Sequence, residues 1–459
     1  MSFEQNIHNY VVTNQKYSAP MRRIRLFSVT MISIVLLASC GDDNGFQEPI
    51  DVPTAQAQFF NAVVDSPNLR ITGEGSLAAQ TSYGSVSTIV RAIPQADRQY
   101  QVNYLLDNNE VNLFSSVTQI DINNFQTIVL TGTMAAAAPV VINTPPFDFA
   151  EGSTEARLTF LNASPGLDTA TVTLTNPIAE NQTITMPYAV ATDKITTTAS
   201  ENMTLEVHDV DGNLLFASGT FDLTARSEQV FTLIDYFGPG AATVELVNVN
   251  LPNFFRQRAL PVQVRSLNLI ADRGPVDFSI NGASLASNQI FADISEYQDA
   301  LIRDNAFTVT TFGDPADELL STTESISAGR FVTFGVSGLV NDISDTTSID
   351  DRRPVATHAR MTITHLSPTF STNIDIYVLP PERDVSNSFP LINGMDRNTT
   401  FSGELSPGTY NVSITTAGTN DTLVGPTRID LEKASYYTLV IADSDGGGAP
   451  ITLQFFDDF

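Results

Sequence analysis

Along most of the chain, apolar and polar residues alternate in short runs rich in Thr, Val, Ile, Phe and Tyr, broken by clusters of Gly, Asn, Asp, Pro and Ser. Alternation at period two describes a strand with one buried face, and no run keeps the period of a long amphipathic helix. The pattern predicts an all-β chain, and it recurs. Four copies of one pattern, each about 100 residues long, align by eye. Each opens on a strand that ends in a turn, at 58–62, 158–165, 264–268 and 361–368, with Asn61, Asn162, Asn268 and His365 in equivalent places. A second alternating strand follows in the later copies, at 170–174, 275–280 and 373–378. Tyr100, Met203, Phe307 and Tyr410 open a later strand at steps of about 103 residues. Each copy closes on a hairpin-like pair of runs, at 120–130, 221–234, 326–334 and 429–440.

Some seven short strands per copy, with turn signals between them, predict an immunoglobulin-like sandwich repeated four times in tandem. Asn281-Gly282 and Asn393-Gly394 sit between strand-like runs, where the positive φ angles of a tight hairpin favour Asn-Gly. Connections rich in Pro, Ala and Asp are read at 134–154, around 248–261 and at 341–357. The chain then divides into a signal region at 1–39, a lipidated cysteine and tether at 40–55, and sandwich repeats at 56–148, 155–250, 251–345 and 356–459.

The signal region has a basic segment, Met21-Arg22-Arg23-Ile24-Arg25, then an apolar run at 26–39 and then Cys40. That apolar run is too short to cross a hydrocarbon core of roughly 30 Å comfortably, so removal is preferred to a permanent span. Leu37-Ala38-Ser39-Cys40 resembles the lipobox of bacterial lipoproteins. The resemblance implies a diacylglyceryl group on the Cys40 thiol and cleavage before it. An ordinary secretory signal with an incidental cysteine is the alternative; Cys40, the sole cysteine, lies at the cleavage point. The polar residues 1–20 precede the basic segment awkwardly, and Met21 is read as the start of the precursor. Gly41 follows the cysteine and Asp42 comes one later, which departs from the inner-membrane retention pattern and favours the outer membrane.

Charge narrows the partners. The whole chain carries a formal −28, and loss of residues 1–39 leaves 19 basic against 50 acidic residues, about −31. Such a surface repels phosphate backbones and anionic lipid, so nucleic acid is excluded as a partner and the acyl chains on Cys40 must make the membrane contact. With Cys40 acylated, neither a disulfide nor a cysteine-ligated metal is available to the fold.

The second and fourth copies resemble the domain-of-unknown-function 4397 family of bacteria. The match rests on Asn162-Ala163-Ser164-Pro165-Gly166, on His365-Leu366-Ser367-Pro368 with Ile374-Asp375-Ile376-Tyr377-Val378, and on Ser406-Pro407-Gly408-Thr409-Tyr410. Copies one and three depart from it near their Asn, with Val63-Val64-Asp65-Ser66-Pro67 and Leu269-Ile270-Ala271-Asp272, and are tied to the family by the period alone. The resemblance implies an exported sandwich-domain protein and no particular chemistry.

Catalytic motifs do not stand out. His208, His358 and His365 form no HExxH or i, i+4 pair, and His365 is read as a turn residue. Gly335-Val336-Ser337-Gly338 falls one residue short of a nucleophile elbow and is read as a β-turn. Two acidic loops, Asp209 and Asp211 before Gly212 and Asp443 and Asp445 before Gly446, hold the oxygen ligands that calcium takes. The twelfth position counted from Asp209 is Thr220, so Asp-Gly turns are preferred to a calcium site. Asp342, Asp345, Asp350 and Asp351 are read as a solvated charge run. No cofactor beyond the lipid is expected. Three roles follow, in order of preference: a non-catalytic binding or structural protein facing envelope protein or polysaccharide, a spacer whose repeats provide reach, and a hydrolase with an unrecognised carboxylate site.

Overall fold

The computed structural model describes residues 55–458 apart from 74–75, 93, 95–96, 146–147, 237–243, 251–255, 259–261, 328 and 371. The signal region, Cys40 and the tether up to residue 54 lie outside the described residues. The first copy supplies β1 (Ala55–Val63), β2 (Leu69–Gly73), β3 (Ser76–Thr81), β4 (Val90–Ala92), β5 (Arg98–Leu106), β6 (Asn109–Thr118), β7 (Phe125–Gly132) and β8 (Ala138–Thr144). The second supplies β9 (Glu155–Asn162), β10 (Thr169–Thr175), β11 (Gln182–Pro187), β12 (Ile195–Thr198), β13 (Thr204–His208), β14 (Leu214–Ala217), β15 (Glu228–Asp235), β16 (Val244–Asn248) and a short β17 (Arg256–Arg258). The third has β18 (Val262–Ile270), β19 (Val276–Ile280), β20 (Ala283–Gln289), β21 (Gln298–Ala300), β22 (Arg303–Thr311), β23 (Asp314–Ile326), β24 (Phe331–Leu339) and β25 (Asp342–Ile349). The fourth has β26 (Ala359–His365), β27 (Ile374–Leu379), β28 (Ile392–Met395), β29 (Thr399–Leu405), β30 (Gly408–Thr416), β31 (Thr422–Leu431), β32 (Tyr436–Asp443) and β33 (Ile451–Asp457).

Every copy folds the same way, as two facing sheets. In the first these are β4-β1-β7-β8 and β3-β2-β5-β6, and the order repeats in the other three, with β17 added outside β16. The first and seventh strands pair in parallel in all four. The chain is therefore all-β, four tandem sandwiches of the immunoglobulin-like two-layer kind. The strand count is eight per copy, nine in the second, where the turn signals suggest about seven. The missed strand is the eighth: β8 lies inside the stretch read as the connection 134–154, and β25 inside that read as 341–357. Both are edge strands with one neighbour, and a half-exposed edge tolerates the polar residues that mark a loop.

Identical local bonds fix the equivalence of the copies. The carbonyls of Asn61, Asn162, Asn268 and His365 accept the N–H of Gly84, Ala189, Ala292 and Asn398 at 2.7–2.8 Å. Each donor residue sits in the left-handed region, at φ between 56° and 66°. The three asparagines also turn inward and accept, at Oδ1, the N–H two residues on, from Val63, Ser164 and Ile270, at 3.0 Å. This is an Asx turn that satisfies a buried donor where the first strand ends.

The central strands are covered on both faces, which period two does not anticipate. All eight residues of β15 and of β32 are buried, as are all of β7 after Phe125. The inner face fills the core of each sandwich, as where Phe160 stacks on Phe231 and Phe307 on Phe334. The outer face meets another sandwich. Phe60, Ala62 and Val129 of the first sandwich pack on Leu161, Ala163, Val230 and Ile234 of the second. Leu267 and Leu269 of the third pack in the same way on Leu366, Val440 and Ala442 of the fourth. A polar contact joins the first two as well: the Tyr83 hydroxyl donates to the Asp235 carbonyl at 2.5 Å. Full burial of one Leu, Val or Phe contributes roughly 1.5–3 kcal/mol, so seams of this kind hold sandwiches together as pairs.

Turn chemistry repeats with the same two-copy period. At the end of the seventh strand the first and third sandwiches have Gly132 and Gly338, at φ 99° and 116°, where a Cβ would meet the Ala136 or Asp342 carbonyl oxygen. The second and fourth have Asp235 and Asp443, each accepting from the serine of the Ser-Pro turn, Ser164 or Ser367. The chain is thus a two-sandwich unit used twice.

Three local readings are corrected. Asn281-Gly282 forms the β19–β20 hairpin at φ 53° and 78° as expected, but Asn393-Gly394 lies inside β28, where the pairing with β27 slips register and Gly394 takes φ 66°. It is a bulge and not a turn. Gly335 to Gly338 is part of buried β24, because the outer face of that strand is packed. Asp350 is 2% exposed, not part of a solvated run.

Candidate functional site

Two clusters built on a buried arginine, Arg265 and Arg353, lie between sandwiches. Val262 and Val264 of β18 face the core of the third sandwich, so Arg265 points outward to the fourth. Its guanidinium lies 2.5 Å from the Asp458 carboxylate and 3.6 Å from that of Asp350, and its Nε donates to Thr333 at 2.8 Å. The two carboxylates are equivalent. Asp350 follows β25 and donates its N–H to the Phe331 carbonyl; Asp458 follows β33 and donates its N–H to the Tyr436 carbonyl. Each accepts from a seventh-strand threonine, Thr333 at 2.5 Å and Thr438 at 2.8 Å. Thr362 holds in the fourth sandwich the register position that Arg265 holds in the third, so one arginine serves both aspartates.

Around Asp350 the Tyr297 hydroxyl donates at 2.7 Å and the Tyr436 hydroxyl lies at 3.0 Å. Burial pushes the Asp350 carboxyl up, and Arg265, Thr333 and the two phenols oppose that. Burial and the neighbouring Asp350 carry both phenols above their ordinary value, which keeps them neutral donors. Burial works against the Arg265 charge as well, yet Asp458 and Asp350 hold it protonated. A cleft of about 510 Å³ opens beside this cluster, lined by Ile294, Ser295, Glu296, Arg352, Phe455 and Asp457 among others. Arg352 lies over the Tyr297 ring at 4.8 Å and Arg265 at 4.7 Å.

The second place joins the first and fourth sandwiches. Arg353, on the segment leading into β26, donates through Nη1 to the carbonyls of Val64 and Ser66, both at 2.9 Å. Its guanidinium stands 4.6 Å from the Tyr83 ring centre and 3.8 Å from Glu404. The Glu404 carboxylate also accepts from Asn68 N–H at 3.2 Å, Ala356 N–H donates to the Asp65 carbonyl at 2.8 Å, and Asp107 N–H donates to Ser406 at 3.1 Å. Burial lowers the Arg353 pKa, with Arg360 adding to that and Asp351 and Glu404 opposing it.

Neither cluster was singled out in the sequence. Arg265 and Asp458 lie 193 residues apart and Arg353 and Val64 289 apart, so no local spacing announces them. The one signal available is for Arg265, a charge in a first strand whose other polar residues, Gln263, Ser266 and Asn268, are uncharged. Both arrangements bind charge to charge; the carboxylates of the Arg265 cluster already accept from the guanidinium and hydroxyls around them, so its chemistry is cohesion between sandwiches.

The acidic loops are placed as follows. Asp209 lies in the β13–β14 hairpin and accepts from the N–H groups of Asp211 and Asn213 and from the Asn213 amide at 2.8–2.9 Å, which holds its carboxyl below the usual range. Asp211 is exposed in the same turn. Asp443 ends β32, is buried, and accepts from Ser367 at 2.5 Å, Thr369 Oγ1 at 2.6 Å and Gly448 N–H at 3.0 Å. Asp445 sits in the turn beyond it. Among the described residues no three His, Cys, Asp or Glu side chains converge as metal ligands. His365 is fully buried and replaces the turn asparagine; burial lowers its pKa to about 4, with the Phe370 backbone opposing and Arg397 reinforcing the shift. Cys40, Leu37, Ala38 and Ser39 lie outside the described residues.

Fold and seams together define a tandem β-sandwich protein whose domains associate in pairs. Residues 262–377 match the model of the family described as Domain of unknown function (DUF4397). The match spans the third sandwich, β26 and part of β27, so the copy that the sequence tied to the family by period alone is the one that matches. No curated protein sequence matches the chain. Among solved structures it is similar to the TIE protein of Bacillus anthracis, at 10% identity over 82% of this chain and 66% of that one, with a TM-score of 0.15. It is also similar to BcpA, the major pilin subunit of Bacillus cereus, at 11% identity over 63% of this chain and 99% of that one, with a TM-score of 0.16.

Proposed function

We propose that this chain is a lipoprotein of the bacterial cell envelope, anchored through acyl chains on Cys40 with the outer membrane favoured, and that its sandwiches form a non-catalytic binding or structural body on the periplasmic or outer face. The anchor rests on the order of basic segment, apolar run and Leu37-Ala38-Ser39-Cys40. No helix among the described residues is long and apolar enough to cross a membrane. The observation that carries the role is the direct contact of the first and fourth sandwiches through Arg353. Domains that fold back on one another gain rigidity and lose reach, which favours a body that presents loops over a stalk. Envelope protein or polysaccharide is the partner class, since the net charge of −28 disfavours nucleic acid and anionic lipid.

The anchor is tested by substituting Cys40→Ser and following the protein through membrane fractionation and labelled-palmitate incorporation. The variant is expected in the soluble fraction without label; retention in the membrane with no label refutes the acyl anchor. The binding role is tested by screening the purified protein against arrayed peptidoglycan, polysaccharides and envelope proteins. Saturable binding is expected, and none across the array refutes it.

A further inference from the structure

The cleft of about 510 Å³ beside the Arg265 cluster opens between the third and fourth sandwiches, and the first and second are joined by a seam of the same build. The shared register therefore gives its lining residues counterparts in the first pair. Glu296 and Tyr297 correspond to Thr88 and Ile89, Phe455 and Asp457 to Asn248 and Asn250, and Arg265 to Gln58. Gln58 donates to Thr127 at 3.1 Å as Arg265 does to Thr333, and Thr144 holds the place of Asp350. A seam of this fold thus closes with neither a charge nor an aromatic ring at any of these places. Taking charges out of water is costly, so the set at the second seam goes beyond what packing two sandwiches requires.

The cleft has the size of a small ligand site. Its apolar wall is Ile294 with Phe455 and Phe456, adjacent and both half-buried on β33. Phe455 is held against the core of the fourth sandwich by stacking on Tyr437 at 5.2 Å, and Phe456 packs at the seam. Glu296 and Asp457 add exposed carboxylates to the lining. Counting Asp350 behind the wall, the four carboxylates of Glu296, Asp350, Asp457 and Asp458 outnumber the two guanidinium groups of Arg265 and Arg352. Arg265 is already engaged by Asp350 and Asp458, and Arg352 lies over the rings of Tyr297 and Phe331 at 4.8 and 5.1 Å. An aromatic and aliphatic wall beside surplus carboxylates suits a cation carried on an apolar stem.

We propose that this cleft receives a lysine or arginine side chain presented by an envelope protein, with the stem along Ile294 and Phe455 and the charged head at Glu296 and Asp457. The proposal rests on the binding role stated above and gives that role a site and a partner chemistry. The formal charge of −28 favours the approach of a basic partner, and salt weakens it.

The test uses the full chain carrying Cys40→Ser and three peptides, Gly-Ser-Arg-Ser-Gly, its lysine analogue and its glutamine analogue, titrated by saturation-transfer NMR. The two basic peptides should bind one to one and the glutamine peptide should not. Glu296→Gln with Asp457→Asn should weaken them about tenfold, the loss of roughly one charged hydrogen bond. Glu180→Gln with Asp211→Asn removes the same charge from exposed positions of the second sandwich and should leave binding unchanged. Unaltered hydrogen exchange in β32 checks that each double variant is folded. Failure of both basic peptides to bind, or an equal loss in the two double variants, overturns the proposal. An envelope protein captured on the array whose affinity survives Glu296→Gln with Asp457→Asn also overturns the cleft as its site while leaving the binding role standing. Peptide binding in the cleft with an empty array refutes the role and not the cleft.

Discussion

Replacing Arg265 by alanine should cost about 3–5 kcal/mol at neutral pH, the loss expected when one partner of a buried ion pair is removed. The substitution leaves Asp350, 2% exposed, facing Thr333, Tyr297 and Tyr436 with no cation, and deprives Asp458 of its bidentate partner. Stranded carboxylates dominate the cost. Adding Asp350→Asn and Asp458→Asn should therefore recover most of it, although the triple variant contains fewer polar contacts than the single. Burial already pushes the Asp350 carboxyl up, and without Arg265 it rises further. The deficit should accordingly shrink as pH falls and Asp350 takes up a proton. Hydrogen exchange in β18, β24 and β32 as a function of urea reads the effect locally, which suits a chain of four sandwiches better than one global transition. A variant with unchanged exchange at neutral pH would mean that the Arg265 cluster contributes nothing to joining the third and fourth sandwiches.

The fourth sandwich should weaken by about 3 kcal/mol on acidification, because His365 is buried neutral with its pKa lowered to about 4 from 6.5. The sign follows from proton uptake. Between those two values the unfolded chain binds a proton on His365 that the folded chain refuses, so stability is fully present above pH 6.5 and is lost as pH falls toward 4. His358, also lowered by burial, acts in the same direction. His365→Asn installs the residue that the other three sandwiches use, whose Oδ1 accepts the N–H two residues on. That variant should keep its stability at pH 7 and lose most of the slope between pH 6.5 and 4, measured as the urea midpoint of exchange in β26 and β32. An unaltered slope would place the acid sensitivity in the carboxylates and not in this histidine.

What the sequence made legible was set by the range of the interactions involved. Alternation over a few residues reported the strands, and the spacing of Asn61, Asn162, Asn268 and His365 reported four equivalent turns that the structure joins with the same hydrogen bond. The pairing of sandwiches was written less plainly. Runs such as Val230-Phe231-Thr232-Leu233-Ile234 break the alternation with adjacent apolar residues, which is how a strand covered on both faces reads. Edge strands β8 and β25 read as connections in the sequence because Pro139, Asp342 and Asp345 are residues of loops as well as of protected edges. The clusters around Arg265 and Arg353 were invisible for a different reason. Each is assembled from separate sandwiches, and a single sequence states no contact across that distance.

The closed contact between the first and fourth sandwiches can be measured directly as a distance. With Cys40→Ser as background, spin labels at Gln80→Cys and Arg428→Cys sit on exposed positions of the two sandwiches. The intact chain should give one narrow distance distribution. Adding Arg353→Ala, which removes the donor to the Val64 and Ser66 carbonyls, should broaden it toward longer distances. A broad distribution in the chain that still carries Arg353 would contradict the closed body and describe four sandwiches on a string.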